Sequence, residues 1–282
     1  MSKVYDKIAE RISEALKNGT CPWRKTWKGA TAPCNISGRK YSGANFFILS
    51  LAGYTNPVFM TFNQIRKSGG NVIKGQKGWP VIFWKFLETK DKVTGDKVTF
   101  PMLRYFTVFN IEQTEGVKLP KKLEIVERTD VEVVDAAQAI IDGYVEGPTV
   151  ETTGSRAFYT PKKDQVTMPK QASFESDNSY YSVMFHELGH STGHSTRLNR
   201  EKGMTEICFG SHEYSKEELV AELTAAFLCG VSGIDNTLDN SAAYIANWMK
   251  SLTDNPKWFI QAAGKAQKAA NFIQGIKPEA AS

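Results

Sequence analysis

Apolar residues recur every four positions at the start of the chain, at Val4, Ile8, Ile12 and Leu16. This spacing places them on one face of a helix, which we expect to end at the glycine in position 19. Further helices are predicted over 46–54 and 61–68. The runs Val81–Leu87 and Phe100–Asn110 are rich in β-branched and aromatic residues and predict two strands of a hairpin.

In the second half, helical periodicity runs from Val134 to Tyr144, and two paired strands are predicted at Phe158–Tyr159 and Gln165–Met168. Three more helices follow, two centred on the histidine and glutamate motifs discussed below and one over 242–273. The segment 113–132 is charged and lacks periodicity, which favours a linker. We therefore predict a mixed α/β (α+β) protein with two domains, 1–125 including the linker and 126–282. With 282 residues, each half could bury a core of its own.

Charge is divided unequally between these halves. Residues 1–125 carry 21 basic and 9 acidic side chains, whereas residues 126–282 carry 14 and 21. No Asp or Glu occurs between Ala15 and Phe86, although eleven Lys and Arg do. A basic surface without carboxylates attracts phosphate backbones, and exposed aromatic rings can stack on unpaired bases. The first half is thus predicted to bind single-stranded nucleic acid, whereas the acidic half is not expected to bind DNA itself.

The predicted DNA contacts are aromatic and basic residues in turn-rich segments: Trp23, Arg24, Lys25, Trp27, Lys28, Arg39, Lys40, Tyr41, Lys74 and Lys77. Lys74 and Lys77 fit phosphate contacts or solvated charges equally well. By contrast, the apolar runs Phe46–Leu49 and Val81–Trp84 are typical of a core. A role at a membrane surface finds no support, because no long basic amphipathic helix is evident.

The second half contains the sequence His-Glu-Leu-Gly-His at positions 186–190. On a helix, residues four apart lie on one face, so His186 and His190 can bind the same metal ion. Glu187 then lies beside this face, where its carboxylate can act as a general base toward a water molecule. The pattern predicts a site for one divalent metal, with zinc expected and manganese as the alternative.

Three residues compete for the place of third ligand. Glu218 and Glu222 lie on one edge of a predicted amphipathic helix, and His194 could extend the histidine face if the helix continued past Gly193. This part of the chain resembles gluzincin peptidases, whose downstream helix supplies one acidic ligand and a second acid that orients a ligand histidine. The resemblance implies Glu218 as the ligand and Glu222 as the orienting residue. Glu222 or His194 as the ligand remains open, and Glu218 could instead belong to a helix-capping box with Ser215.

The remaining features indicate a globular cytoplasmic protein. No apolar run approaches 18 residues, and the first residues lack the apolar region of a signal peptide. The cysteines at positions 21, 34, 208 and 229 form no close pair, so free thiols in a reducing compartment are expected.

Both halves together resemble the ArdC-type antirestriction proteins of conjugative plasmids. Four segments of the first half, 15–27, 35–45, 61–64 and 108–113, are similar to the family's single-stranded-DNA-binding domain. The motif at 186–190, together with Arg197–Arg200 and Glu217–Glu222, is similar to its metallopeptidase domain.

The resemblance implies that the protein protects incoming plasmid DNA from host restriction during conjugation. Two functional hypotheses follow from the residues. In one, coating the DNA strand suffices and the metal is structural. In the other, the protein is an active metallopeptidase that cleaves a host protein. A metal-dependent nuclease is disfavoured, because this motif normally binds one metal rather than two.

Overall fold

A computed structural model describes residues 32–90, 96–123, 129–200, 212–234 and 257–277, together with the helical positions 6, 8, 10 and 14. The first predicted domain contains six of the described strands and, after those helical positions, two of the described helices. Its strands are β1 (Cys34–Asn35), β2 (Val58–Thr61), β3 (Asn71–Val72), β4 (Trp79–Lys90), β5 (Lys97–Asn110) and β6 (Thr114–Glu115). Its helices are α1 (Ala44–Ser50) and α2 (Phe62–Lys67).

The main sheet has the strand order β1-β2-β5-β4. Strand β1 is parallel to β2, and the other neighbours are antiparallel. The predicted hairpin is confirmed and is longer than expected, with Val81 opposite Phe106 and Phe83 opposite Arg104. Strands β3 and β6 pair separately. Part of the predicted linker is therefore sheet, which the sequence could not show because a two-residue strand has no periodicity.

The second predicted domain contains helices and a small sheet. Its described helices are α3 (Asp130–Asp142), α4 (Asp177–Ser191), α5 (His212–Ser232) and α6 (Lys257–Ile273). Its strands are β7 (Thr149–Thr152), β8 (Phe158–Thr160) and β9 (Gln165–Met168), in the order β7-β9-β8. The predicted pair of strands is confirmed, and β7 was not predicted. The part of the last predicted helix before Lys257 lies outside the described residues.

The main apolar core is shared between the two halves. Phe46 and Phe47 of α1 pack on Phe227 of α5, with ring centroids 4.8 and 4.7 Å apart. Phe47 also contacts Phe259 of α6 at 5.9 Å. The sheet of the first half has two smaller clusters of its own, around Met60 and around Phe59. The expectation of separate cores is therefore wrong for α1, which packs against the helices of the second half.

Replacing Phe47 with Ala should destabilise both halves at once. Phe47 is fully buried, and truncating a buried phenylalanine costs about 3–5 kcal/mol. We expect the free energy of unfolding to fall by this amount while the chain still unfolds in one transition. Circular dichroism during a urea titration measures both. Phe62→Ala is the matched control, since Phe62 is 53% exposed. A variant in which only the second half loses stability would contradict the shared core.

Candidate metal centre and nucleic-acid groove

Helix α4 presents the histidine motif on the side that faces α5. The helix begins after Ser176, whose hydroxyl accepts a hydrogen bond from the Ser179 backbone N–H at 3.2 Å. The Nε2 atoms of His186 and His190 lie 3.1 Å apart, with both rings largely buried. Such a short separation means that both imidazoles point to one position, as the four-residue spacing predicts.

The close packing of α4 on α5 depends on Gly189. A Cβ atom added to Gly189 would lie 3.1 Å from both Cα and the carbonyl oxygen of Ala221, and 3.2 Å from Cβ of Thr224. These are tighter than ordinary contacts, and two of them are with backbone atoms that cannot rotate away. The glycine thus allows α5 to approach the histidine face of α4.

This approach brings Glu218 of α5 to the histidines. Its carboxylate oxygens lie 3.6 Å from Nε2 of His186 and 3.4 Å from Nε2 of His190. The ligand atoms of the three residues lie within 4.8 Å of one another, and no other such group occurs among the described residues. Two imidazole nitrogens and one carboxylate oxygen form a donor set of the kind that holds a catalytic zinc ion. The residues therefore fit a divalent metal ion.

The three side chains are also coupled electrostatically. Burial disfavours the charged form of Glu218, but hydrogen bonds from His186 and His190 outweigh this effect and hold the Glu218 pKa well below its ordinary value. Burial likewise disfavours protonated His190, but the hydrogen bond and charge of Glu218 raise the pKa of His190. The carboxylate is consequently anionic and ready to bind a cation.

Besides this trio, three further residues were predicted to take part in the metal site: Glu187, Glu222 and His194. Glu187 is 8% exposed, and its charge contributes to the raised pKa of His190. Glu222 is buried one turn after Glu218. His194 is not part of the trio, and its Nδ1 atom lies 2.8 Å from the Thr196 hydroxyl. The ring nitrogen Nδ1 of His186 is buried without a hydrogen-bond partner among the described residues, so it is the atom that an orienting carboxylate would hold.

Arg200 connects the end of α4 to the beginning of α5. Its guanidinium donates to Glu217 at 2.6 Å, to the Thr192 hydroxyl at 2.8 Å and to the Gly189 carbonyl at 3.0 Å. Because Glu217 directly precedes Glu218, this buried ion pair helps to fix the carboxylate relative to the histidines. The motif Arg197–Arg200 was noted in the sequence, but no periodicity or spacing assigned this role to Arg200.

Arg197 connects the same segment to the small sheet. It donates to the Ser191 carbonyl at 2.8 Å and the Glu146 carbonyl at 3.0 Å, and it pairs with Asp164. Burial alone would raise the pKa of Asp164, but hydrogen bonds from Arg197 and Tyr159 lower it below its ordinary value. The segment after α4 is thus fixed by two arginines, Arg200 through its contacts with α4 and α5 and Arg197 through its contacts with Asp164 and two backbone carbonyls.

A second candidate site lies on the basic half, where a groove of about 560 Å³ runs beside α1 and the β4–β5 hairpin. Arg39, Lys40 and Tyr41 line it, as do Phe83 and Phe106. The two phenylalanine rings are stacked, with centroids 4.6 Å apart and planes at 4°. Burial raises the pKa of Tyr41 to about 12, with Cys34 acting in the same direction, so the hydroxyl remains neutral. We call this cavity the basic groove.

The other predicted DNA contacts are placed differently. Lys74 and Lys77 are exposed between β3 and β4 and do not line the basic groove. The predicted contacts Trp23, Arg24, Lys25, Trp27 and Lys28 lie outside the described residues.

The interpretation of Val81–Trp84 as core is wrong in part. Val81 and Ile82 are buried at the base of the groove, whereas Phe83, which also lines it, is half-buried and Trp84 is 47% exposed. Phe106, on the opposite strand, is 56% exposed. Every residue of 81–84 is apolar, so alternation could not show which face meets solvent. The side-chain amide of Asn45 donates to the Ile82 carbonyl and accepts from the Ile82 backbone N–H, both at 2.7 Å. These two hydrogen bonds hold α1 against the edge strand β4.

Two family models match the chain. The model for the N-terminal domain of the anti-restriction factor ArdC matches residues 2–109, and a model for zincin-like metallopeptidases matches residues 135–265. The fold and the metal centre thus define a two-domain protein that joins an ArdC-type domain to a zincin-like domain. The predicted fold class is confirmed.

Solved structures of a relative agree with these models. The chain is 33% identical to the antirestriction protein ArdC from plasmid R388 and covers 97% of it. The TM-score is 0.77 to its metal-free structure and 0.74 to its Mn(II)-bound structure. The chain therefore belongs to the ArdC antirestriction family, as its motifs indicated.

Curated relatives include proteins of very different length. Two Escherichia coli proteins named DNA primase TraC are 37% and 36% identical over 95% of this chain, which spans only 27% and 20% of their own length. The uncharacterized protein y4eC of Sinorhizobium fredii (strain NBRC 101917 / NGR234) is 30% identical, with 98% of this chain and 93% of that protein covered. The same two-domain unit thus occurs alone and within longer proteins.

Replacing His186 or His190 with Ala should abolish stoichiometric binding of Zn²⁺ and Mn²⁺, because a site with two remaining ligands holds the ion poorly. Glu187→Gln should retain binding, and so should His194→Ala, the matched control of the same residue type. Titration calorimetry and elemental analysis of the purified variants measure this. Full occupancy in His186→Ala would show that the motif is an ordinary buried helix.

The same measurement separates the two glutamates. Glu218→Ala should lose the metal more completely than Glu222→Ala, because only the Glu218 carboxylate lies with both imidazoles. The reverse order would exchange the roles of the two residues.

Proposed function

We propose that the protein binds single-stranded DNA in the basic groove without strong sequence preference. By doing so it protects incoming plasmid DNA from host restriction during conjugation, in the cytoplasm. The observation that carries this proposal is the combination, in one groove, of Arg39 and Lys40 with the stacked Phe83–Phe106 pair, of which Phe106 is exposed and Phe83 half-buried. Lysine and arginine bind phosphates, and aromatic faces stack on bases of any sequence.

The hairpin extends this surface beyond the groove. Phe83 lies opposite Arg104, and Lys85 lies opposite Met102 on the same face. Arg104 and Lys85 are both exposed. A strand of DNA that stacks on Phe106 can therefore continue along the hairpin beside two further positive charges. Stacking requires bases that are out of a helix, which favours single strands over duplex.

The second part of the proposal is that the zincin-like domain binds a divalent metal ion. We assign His186, His190 and Glu218 as its ligands and Glu222 as the residue that orients a ligand histidine. Two imidazoles and a carboxylate favour zinc, and manganese is the alternative because a relative has a Mn(II)-bound structure. When bound, such an ion supplies a Lewis acid that polarises a carbonyl and activates water. We assign Glu187 as the general base that would accept and return a proton, since it is buried and its charge acts on His190.

This arrangement favours one alternative function. The protein would be a metal-dependent peptidase acting on a host or restriction protein, with the basic groove serving to direct it to DNA. The specific observation in its favour is the buried Glu187 next to the three converging ligand side chains. No membrane partner is proposed, and no helix among the described residues is both long enough and apolar enough to cross a bilayer.

Phe106→Ala should weaken binding of single-stranded DNA by about 1–3 kcal/mol, the value of one stacked base. Arg39→Ala should weaken binding to all sequences. It should also reduce the slope of log affinity against log salt concentration by about 0.7, the contribution of one phosphate contact on a single strand. Fluorescence anisotropy at several salt concentrations measures both effects. Phe158→Ala and Arg156→Ala, exposed positions in the second half, should bind as the unchanged protein does. Equal affinity for duplex and single strand would refute the proposal.

A conjugation assay in a restricting host decides between strand coating and proteolysis. If coating protects the DNA, Glu187→Ala should protect fully and Phe106→Ala should protect poorly. Proteolysis predicts instead that Glu187→Ala keeps its DNA affinity and loses protection, since removing a general base costs chemistry rather than binding. Full protection by a Phe106→Ala protein with weakened DNA affinity would contradict coating.

A further inference from the structure

Helix α6 is a basic element in the otherwise acidic half of the chain. It carries Lys257, Lys265 and Lys268 and contains no Asp or Glu. All three lysines are exposed, whereas the alanines of the opposite face are buried in the core. The net negative charge of residues 126–282 therefore does not describe this surface, where positive charges stand together without carboxylates on the same helix.

One flank of α6 adjoins the basic groove. The Gln267 side chain accepts a hydrogen bond from the Gly43 backbone N–H at 3.1 Å. Gly43 is the residue that precedes α1, and its neighbour Ser42 lines the groove. The amide of Gln267 is held in turn by Asn271 at 2.9 Å. A strand leaving the groove past Ser42 thus meets α6 at Gln267 and its exposed neighbour Lys268.

The other flank of α6 forms a cavity of about 200 Å³ with α5. Trp258, Gln261, Lys265 and Lys216 line it, together with Leu219, Val220 and Ala262. The ammonium group of Lys216 lies 4.9 Å from the centre of the Trp258 ring. An indole face, an amide and two ammonium groups are the chemistry that recognises one nucleotide, through stacking, a base edge and phosphate.

The exposed ridge of α6 connects these two flanks. Gln267 and Trp258 are nine residues apart, which places them on opposite sides of the helix and about 14 Å apart along its axis. Gly264 lies on the ridge between them, where a Cβ atom would meet no described residue within 4 Å. Lys265 and Lys268 flank this open position. The ridge therefore has room for a DNA backbone, and Lys265 and Lys268 supply positive charge along it.

We propose that single-stranded DNA leaving the basic groove crosses the ridge of α6 and places a nucleotide in the Trp258 cavity. The zincin-like domain would then hold a second DNA subsite, contrary to what its net charge suggests. This inference rests on the proposed function, because it requires the strand to occupy the basic groove first.

The test compares short and long oligothymidylates by fluorescence anisotropy. An oligomer of about 4 nucleotides fills the groove alone, whereas one of about 12 can also reach the cavity, which is the range of site sizes known for single-strand binding folds. Lys265→Ala/Lys268→Ala should bind the short oligomer as the unchanged protein does. It should bind the long one at least about fivefold more weakly, with a salt slope lower by about 1.4, since each phosphate contact contributes about 0.7.

Lys162→Ala/Lys163→Ala removes the same charge from another exposed place in the same half and is the control. Trp258→Ala should likewise weaken binding of the long oligomer only. If Trp258→Ala does not fold, the Lys265→Ala/Lys268→Ala variant still tests the proposal, because both lysines are exposed. Equal binding of the long oligomer by the two lysine double variants would overturn the second subsite and leave the groove intact. Failure of the unchanged protein to bind either oligomer would overturn both proposals.

Discussion

The packing of α1 into the helical core of the second half positions both candidate sites. Phe47 is buried against Phe227 and Phe259, and a phenylalanine in such a place dominates the local packing energy. The residues directly before α1 line the basic groove. Phe227 lies on α5, the same helix that carries Glu218 two and a half turns earlier. One contact between helices thus fixes the groove relative to the metal centre, and the two domains form one packed unit in the described residues.

The metal centre depends on a different constraint, the absence of a side chain at Gly189. Without the close approach of α4 and α5, the Glu218 carboxylate could not reach the two imidazoles, and Arg200 could not pair with Glu217 while contacting the Gly189 carbonyl. Burying three ionisable groups is unfavourable unless they compensate one another. The lowered pKa of Glu218 and the raised pKa of His190 show that they do. A divalent ion bound to these three side chains would replace the contacts that Glu218 now makes with the two imidazoles.

Much of this could be predicted from the sequence, for reasons that differ between elements. The histidine spacing predicted the shared face of α4, and the long β4–β5 hairpin followed from its β-branched and aromatic runs. The choice of Glu218 rested on resemblance, because spacing alone left Glu222 and His194 open. The stacked Phe83–Phe106 pair could not be found, since apolar strands hide which face is exposed until the register is known. The shared core was equally hidden, because the pattern of α1 shows that it is buried but not against which partner.

Photo-crosslinking tests the central claim, that single-stranded DNA occupies the basic groove, most directly. An oligonucleotide with bromodeoxyuridine in place of thymidine would be bound to the full-length chain, irradiated and mapped by mass spectrometry of the peptides. The account predicts crosslinks at Tyr41, Phe83 or Phe106, lost when unlabelled single strands compete and retained when duplex does. Crosslinks that spare all residues lining the groove, or that duplex removes as well as single strands do, would contradict it.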